Sequence, residues 1–178
     1  MHWQGLVDVA GMAQVAAAVA SALGAGDVVL LEGTLGAGKT TWVRYLVAAL
    51  GGDPALVSSP TYTLLHVYDH AQPAVVHVDA YRLHSADELS GLGFDELAEA
   101  AVACIEWPQR VAGAWAVASV WRLVLEHADG QRLVTVFPPT VQDIPSALRA
   151  IAQGPVEGGA TVGQPHINAQ SGSGNHLS

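Results

Sequence analysis

Eight residues from Gly33 to Thr40 have the types and the spacing that bind phosphate. They fit the pattern G-x-x-x-x-G-K-[ST], in which backbone amides and a lysine surround the phosphates of a nucleotide. Its glycines let the backbone approach a ligand closely and turn successive N–H groups toward it. Lys39, the only lysine of the chain, can reach the β- and γ-phosphates, and the Thr40 hydroxyl can bind Mg²⁺. The motif therefore predicts a phosphate-binding loop.

The elements on either side of this loop are those that its chemistry requires. The apolar run Val28–Leu31 before it is typical of a buried strand, and from Thr40 to Leu50 the apolar residues change to helical spacing. The helix that follows adds the partial positive charge of its N-terminus. An isolated match could be a glycine-rich turn without function, but the flanking strand and helix favour the functional interpretation.

Two further apolar runs end in an acidic residue. They are 74–79, which ends in Asp79, and 101–106, which ends in Glu106. Each is a short run of the buried-strand type, and ligands of open α/β sheets bind beyond the carboxyl ends of the strands. An acid at that place can hold Mg²⁺ or orient an attacking water, or it can cap the next helix. We expect at least one of the two at a metal, and the residues alone leave open which one.

The polar segment Ser58–Thr61 follows the helix of the phosphate loop. Pro60 disfavours helix before it, so the segment is predicted to be a loop. Many nucleotide-binding enzymes keep a switch in such a place, where the Thr61 hydroxyl could meet Mg²⁺, water or the γ-phosphate. Composition alone favours the alternative, a plain connecting loop.

Several other side chains have two interpretations. Arg82 could face phosphate or a partner, or form a surface salt bridge. Trp107 could stack on a base or fill a gap in the core. The histidines have no metal-ligand spacing, so we interpret all of them as ordinary core or surface residues, including those nearest the site: His66, His70, His77 and His84.

Composition narrows the class of protein. The chain has 178 residues, of which 51% are hydrophobic and 13% charged, which suits one α/β domain with a buried sheet. Its formal net charge of −9 argues against independent binding to nucleic acid or an anionic membrane, although a partner could hold nucleic acid. The single cysteine, Cys104, lies in an apolar run and is expected to be a buried thiol. With no secretory pattern at the N-terminus, we expect a cytoplasmic protein.

The remaining patterns predict the other elements of the fold. Asp129-Gly130 is the turn of a predicted hairpin, and from Gly154 a tail rich in Gly, Ser, Gln and Asn is predicted to be disordered. Strands are predicted within His2–Val9 and over 63–68, 121–126 and 132–137, and helices over Met12–Leu23, Ser85–Leu89, 94–101 and 144–151.

Five stretches together carry a resemblance to a known family. The phosphate loop, which is the first of them, occurs in many families. The SPTY, HxDxYRL and IEWP stretches, found together at this spacing, are specific. Over about residues 5 to 137 the chain resembles the TsaE (YjeE) family, small bacterial ATPases of the tRNA threonylcarbamoyladenosine pathway. In chain order the stretches are Gly33-Thr34-Leu35-Gly36-Ala37-Gly38-Lys39-Thr40-Thr41, Ser59-Pro60-Thr61-Tyr62-Thr63-Leu64, His77-Val78-Asp79-Ala80-Tyr81-Arg82-Leu83, Leu92-Gly93-Phe94-Asp95-Glu96 and Ile105-Glu106-Trp107-Pro108.

The resemblance implies a fold and an activity. The fold is an α/β, three-layer P-loop NTPase fold with a mixed, mostly parallel central sheet. The resemblance does not extend to the tail, and the residue pattern itself predicts a domain of residues 1–140 followed by a short helix and tail over 141–178. The implied activity is Mg²⁺-dependent hydrolysis of ATP to ADP, weak alone and stimulated by partners. Those partners would be TsaB and TsaD, which transfer threonylcarbamoyl to adenosine 37 of tRNAs reading ANN codons, so that tRNA would be met only through the complex.

The resemblance also implies roles for single residues. Thr40 and Glu106 would bind Mg²⁺, Trp107 would lie beside the nucleotide, and Gly33-Thr34-Leu35-Gly36-Ala37-Gly38-Lys39-Thr40-Thr41 would surround its phosphates. The catalytic residues would be Lys39, Thr61, Asp79 and Glu106. The chain departs from the family pattern at Thr34, where an acid is common, and at Met12, where a threonine often lies near the nucleotide.

Two other functions use the same loop. A small-molecule kinase would need an acceptor pocket and a lid with several arginines, and the six arginines of this chain are scattered. A non-catalytic interaction module would bind ATP only to fix the switch loop for a partner. Loss of turnover with retained nucleotide binding in Glu106→Ala and Asp79→Ala would separate an ATPase from such a module.

Overall fold

One mixed sheet of seven strands forms the centre of the molecule. The structure is a computed structural model, and it describes residues 1–115, 119–140 and 142–151. The strands are β1 Trp3–Val7, β2 Asp27–Glu32, β3 Leu65–Tyr68, β4 Val75–Asp79, β5 Val102–Glu106, β6 Ser119–Ala128 and β7 Gln131–Phe137. The helices are α1 Val9–Ala20, α2 Lys39–Ala49, α3 Ala86–Ser90, α4 Phe94–Glu99 and α5 Ser146–Ala150.

The strand order places the predicted acids next to the phosphate loop. The order is β1-β7-β6-β2-β5-β4-β3, and the pairs β6–β2, β2–β5 and β5–β4 are parallel. Five strands, β1, β2, β4, β5 and β6, share one direction, and β3 and β7 run opposite to them. The end of β2 therefore lies beside the ends of β5 and β4, where Asp79 and Glu106 are paired in register. The predicted mixed, mostly parallel sheet is confirmed.

Two apolar cores, one on each face of the sheet, make the fold three-layered. One core holds the buried faces of α1 and α2 together with Leu148 of α5. The other holds Leu89 of α3 and Phe94 of α4. Cys104 lies in the first core and is fully buried, and burial raises the pKa of its thiol, helped by the charge of Glu106. This agrees with the expected structural thiol.

Several predicted elements are confirmed with shifted ends. The first helix begins at Val9 rather than Met12, because the Asp8 carboxylate caps it by accepting a hydrogen bond from the amide of Gly11 at 2.8 Å. The predicted hairpin turns at Asp129-Gly130, whose φ angles are 39° and 82°. Ser85 caps α3 by accepting from the amide of Glu88.

The C-terminal part of the prediction is only partly described by the structure. The helix predicted over 144–151 is α5, and Ile144 and Leu148 pack into the core that contains α1. The predicted disordered tail from Gly154 lies outside the described residues. The division into 1–140 and 141–178 stays a prediction. In the part of the chain that is described, no helix is long and apolar enough to cross a membrane.

Candidate functional site

The phosphate loop is the connection between β2 and α2. Gly33, with φ 147°, begins it, and a Cβ atom there would lie only 2.5 Å from the carbonyl oxygen of Leu125 on the neighbouring strand β6. Gly38, with φ 106°, ends the loop as the N-cap of α2. Any larger side chain at Gly33 would push the loop away from the sheet, so glycine sets its path at both ends.

Lys39 lies inside the loop rather than on the surface. Its side chain extends back along the loop, and Nζ donates to the carbonyl oxygens of Gly33 at 2.8 Å and Thr34 at 2.9 Å. The residue is 5% exposed, and Nζ lies 4.0 Å from the ring centroid of Trp107. Burial lowers the pKa of Lys39, and the charges of Glu106 and Asp79 partly oppose that shift. The ammonium is therefore held where the loop would receive phosphate.

The titration of Lys39 gives a first testable expectation. Because it is the only lysine, selective ¹⁵N labelling of lysine side chains gives a single Nζ resonance. We expect its pKa to lie below 10.5 in the folded protein. The unfolded chain then binds more protons between the two pKa values, so the free energy of unfolding rises with pH through that window.

A matched pair of variants checks the cause of this shift. In Glu106→Gln the same resonance should titrate at a still lower pH, because the carboxylate that opposes the shift is gone. In Glu99→Gln, which changes an exposed acid of α4, it should not move. A midpoint at or above 10.5 in the native protein would contradict the buried position of the ammonium.

Glu106 is in hydrogen-bond contact with two side chains, those of Thr40 and His77. The Thr40 hydroxyl donates to Oε1 at 2.7 Å, and Nε2 of His77 lies 2.8 Å from the same oxygen. Glu106 is 4% exposed and His77 is fully buried. Because both contacts use Oε1, Oε2 has no hydrogen-bond partner among the described residues. The carboxylate is thus fixed by one oxygen, and the other can accept a ligand.

His77 is a site residue that the sequence analysis missed. It was interpreted as an ordinary histidine, but it contacts Glu106 through Nε2, and its Nδ1 lies 3.4 Å from the hydroxyl of Tyr68. A signal was present in the sequence, because His77 precedes Asp79 by two residues, and residues at that spacing face the same side of a strand. The nitrogen that bonds the carboxylate must carry the proton for this contact to be a hydrogen bond.

Asp79 holds the predicted switch loop. Its Oδ2 accepts from the Thr61 hydroxyl at 2.8 Å and from the Ser59 hydroxyl at 3.3 Å, and these two hydroxyls are 2.7 Å apart. Its Oδ1 accepts from the backbone amide of Tyr81 at 3.1 Å. The acid thus caps the short 3₁₀ helix that follows it, as one of its predicted roles required, and it also fixes the loop. Its predicted role toward Mg²⁺ or an attacking water stays a prediction.

The aromatic side of the site is built around Trp107. This residue has φ 57° and is the N-cap of a short 3₁₀ helix. Its ring packs edge-on against that of Tyr81, with 5.2 Å between the centroids. The guanidinium of Arg110 lies over the Tyr81 ring, 5.7 Å from its centroid. Arg82 donates to the carbonyl oxygen of Thr61 at 3.4 Å, so its contact is with the switch loop.

Most of the predicted site residues converge on one cavity of about 300 Å³. Ala37 does not reach it, since its side chain is buried in the core. Gly33 and Thr34 line a larger neighbouring cavity of about 810 Å³. The 300 Å³ cavity, called here the loop cavity, is lined by Leu35, Gly36, Gly38, Lys39, Thr40, Thr41, Ser59, Thr61, Asp79, Glu106 and Trp107.

The donor set of the loop cavity fits magnesium and phosphate. Hydroxyl and carboxylate oxygens are the ligands that Mg²⁺ prefers, and Mg²⁺ is usually bound by one or two carboxylates together with substrate phosphates. Thr40, Glu106 and Asp79 supply such oxygens here. Among the described residues no group of three or more His, Cys, Asp or Glu could hold a metal by itself. The residues present therefore suit an ion that shares its coordination with a nucleotide.

Comparison with known proteins places the chain in a family. The family model described as "Threonylcarbamoyl adenosine biosynthesis protein TsaE" matches residues 6–134. The tRNA threonylcarbamoyladenosine biosynthesis protein TsaE of Treponema pallidum (strain Nichols) is 40% identical over 112 residues, which are 62% of this chain and 82% of that protein. The protein of the same name from Streptomyces coelicolor is 45% identical over 92 residues, 50% of this chain and 62% of that protein.

Coverage differs among the relatives. The match to the TsaE protein of Rickettsia conorii, 38% identical, spans 51% of this chain and about half (52%) of that protein's length. Among solved structures, the crystal structure of Bacillus subtilus YdiB aligns with a TM-score of 0.57 and 25% identity, covering 78% of this chain and 85% of that chain. The family model spans the loop, both strand-end acids and the turn of the hairpin. The chain therefore belongs to the TsaE family, the threonylcarbamoyl adenosine biosynthesis proteins.

Proposed function

We propose that the chain is a Mg²⁺-dependent ATPase that supports the threonylcarbamoylation of adenosine 37 in tRNAs reading ANN codons, acting with TsaB and TsaD. The observation that carries the ATPase part is the convergence of Lys39, Thr40, Glu106 and the switch residue Thr61 on the loop cavity. Family membership supports the tRNA part. The net charge of −9 fits a subunit that meets tRNA only through its partners.

The phosphate loop would bind the nucleotide by its backbone and by Lys39. The ammonium now donates to two loop carbonyls, and its position allows it to exchange these for phosphate oxygens. The N-terminus of α2 begins at Lys39 and adds its partial positive charge. Because the side chain of Leu35 is 87% exposed, that residue would contribute through its backbone. We assign the phosphates to this loop.

Thr40 and Glu106 would hold the metal. When bound, Mg²⁺ would neutralise charge on the phosphates and so ease the departure of the leaving group. Thr40 already lies beside Glu106, since its hydroxyl donates to Oε1. His77 contacts the same oxygen of this carboxylate, so the carboxylate is held in one orientation with Oε2 left for a ligand. We assign direct binding to Glu106 and a supporting role to Asp79.

Asp79 and Thr61 would hold the attacking water. Oδ2 of Asp79 accepts a hydrogen bond from the Thr61 hydroxyl, so the acid is connected directly to the switch loop. A water placed between them could donate one hydrogen bond to the carboxylate and another to Thr61 Oγ1, whose own proton is donated to Oδ2.

The base would lie on the other side of the loop. A second cavity of about 240 Å³ shares Gly36, Gly38 and Thr41 with the loop cavity, and Met12, Tyr45 and Arg132 line it as well. Met12 is one of the two positions at which the chain departs from the family pattern. The thioether of Met12 and the ring of Tyr45 would make apolar contacts with the base. Such contacts suit adenine, because recognition of guanine requires specific polar contacts.

His77 gives a prediction that concerns the metal more than the fold. We expect His77→Leu to weaken the apparent Mg²⁺ affinity by about tenfold, because loss of an outer partner of a metal ligand typically costs 10- to 100-fold. His77→Gln, whose amide can still donate to Oε1, should restore part of it. Mg²⁺ titration of a fluorescent ADP analogue measures this without turnover.

A neighbouring histidine provides the control for this prediction. His66→Leu changes a histidine of the edge strand β3, whose ring contacts Thr63, and should leave the Mg²⁺ titration unchanged. Equal Mg²⁺ affinity in His77→Leu and in the native protein would show that the contact with Glu106 serves only the packing of the core.

An interaction module that does not hydrolyse ATP is the second candidate. It is favoured by the exposed apolar side chains around the loop cavity, Leu35 at 87%, Tyr62 at 89% and Tyr81 at 52% exposed. Large apolar groups in such a position suit a protein partner. Binding of ADP and ATP by the purified chain tests both candidates together. Only the ATPase candidate also predicts Mg²⁺-dependent release of phosphate.

A further inference from the structure

Arg132 joins the sheet to the phosphate loop. It is the second residue of β7, directly after the hairpin turn, and it pairs with Val7 of β1 on one side and His127 of β6 on the other. Its backbone is therefore held between two strands. In the sequence Arg132 lies 95 positions from Ala37, so no local pattern indicates their contact.

Each nitrogen of the Arg132 guanidinium donates to a backbone carbonyl oxygen. Nε donates to the carbonyl oxygen of Ala37 at 2.9 Å, and Nη2 donates to that of Gly36 at 3.4 Å. Nη1 donates to the carbonyl oxygen of Gln131 at 2.8 Å, which fixes the plane of the group. One rigid, planar guanidinium thus holds two consecutive carbonyls of the phosphate loop, those of Gly36 and Ala37.

These contacts set the direction of the loop amides. The two carbonyls belong to the peptide units whose N–H groups are those of Ala37 and Gly38. The Ala37 N–H donates to the carbonyl oxygen of Thr34 at 3.2 Å, whereas the Gly38 N–H has no hydrogen-bond partner among the described residues. In a planar trans peptide the C=O and N–H bonds point in opposite directions, so holding the carbonyl outward turns the N–H inward. Gly36 and Gly38 have φ angles of 76° and 106°, and glycines leave the backbone free to rotate. The backbone from Gly36 to Gly38 is therefore free to rotate by its own sequence, and this is the part of the loop that Arg132 holds.

We propose that Arg132 is a positioning residue that orients the Gly38 amide of the phosphate loop for the phosphates of a nucleotide. Three of its five N–H groups donate to carbonyl oxygens, so we assign its effect on phosphate to the backbone that it holds. The inference rests on the proposed nucleotide site. If it holds, the hairpin of β6 and β7, which carries Arg132, contributes to the affinity of that site for nucleotide.

Arg132→Met tests this while keeping an unbranched side chain of similar reach. We expect the dissociation constant of pyrophosphate to rise by about tenfold, which corresponds to about 1.4 kcal/mol, and that of ADP to rise by at least as much. Pyrophosphate, measured by competition against a fluorescent ADP analogue, has no base, so it reports on the phosphates alone. Arg132→Lys keeps a cationic donor and should recover part of the loss.

The controls separate positioning from other roles of Arg132. Arg149→Met, on an exposed position of α5, should bind both ligands as the native protein does. If Arg132→Met weakens ADP but leaves pyrophosphate unchanged, Arg132 contacts the base or ribose and the inference is wrong. Unchanged affinity for both ligands, with or without a lower melting temperature, would make the residue purely structural. Absence of ADP binding by the native chain would instead contradict the proposed function itself.

Discussion

Replacing Lys39 by alanine is expected to weaken ADP and ATP binding by roughly a hundredfold. Hydrogen bonds to a charged group contribute about 1.5–3 kcal/mol each, and a loss of about 3 kcal/mol corresponds to about two orders of magnitude in affinity. The ammonium is the only lysine charge in the chain, and it is held inside the loop by Gly33 and Thr34. Titration of a fluorescent ADP analogue measures the effect.

Two further variants make the Lys39 result specific. Lys39→Arg keeps the charge, but its planar fork is larger than the ammonium that fits between two carbonyls and the Trp107 ring, so it should not restore full affinity. Arg149→Ala removes an exposed charge of α5 and should bind ADP normally. Native-like affinity in folded Lys39→Ala would show that the loop does not bind phosphate through this residue.

Glu106→Gln is expected to separate nucleotide binding from turnover. The amide keeps the shape of the side chain and an oxygen that can accept from Thr40 and His77, but it removes the charge proposed to bind Mg²⁺. ADP affinity measured without Mg²⁺ should change little. The rate of Mg²⁺-dependent ATP hydrolysis should fall by about a hundredfold, the size typical for loss of one electrostatic contact to a transition state.

The control for Glu106→Gln is a change of charge elsewhere. Glu99→Gln also removes one negative charge, at an exposed position of α4, and should hydrolyse ATP at the native rate. If both variants retain native turnover, the carboxylate at the end of β5 is structural. If Glu106→Gln also loses ADP binding without Mg²⁺, the charge serves the fold of the loop.

Local patterns were enough to predict the parts of the site that lie on one segment. The loop from Gly33 to Thr40 is specified by glycine and lysine spacing, and the acids Asp79 and Glu106 by their place at the ends of apolar runs. The parallel order of β2, β5 and β4 then brings these three pieces together. The hairpin at Asp129-Gly130 was predictable for the same reason, because its turn residues are adjacent in sequence.

Contacts between distant segments could not be predicted in this way. The bond of His77 to Glu106 joins two strands whose pairing no single segment specifies, and that of Arg132 to Ala37 depends on the position of β7 in the sheet. The first helix was predicted to begin three residues late. Alanine-rich sequence has high helix propensity throughout, so only the Asp8 cap defines its start.

The most direct test of the proposed function is ATP hydrolysis by the purified chain with Mg²⁺, alone and with TsaB and TsaD. We predict slow release of phosphate by the chain alone, a faster rate with both partners, and loss of both rates in Lys39→Ala and on removal of Mg²⁺. ATP binding without hydrolysis under either condition would contradict the ATPase and favour the interaction module. Transfer of phosphate to a small acceptor rather than to water would contradict both and identify a kinase.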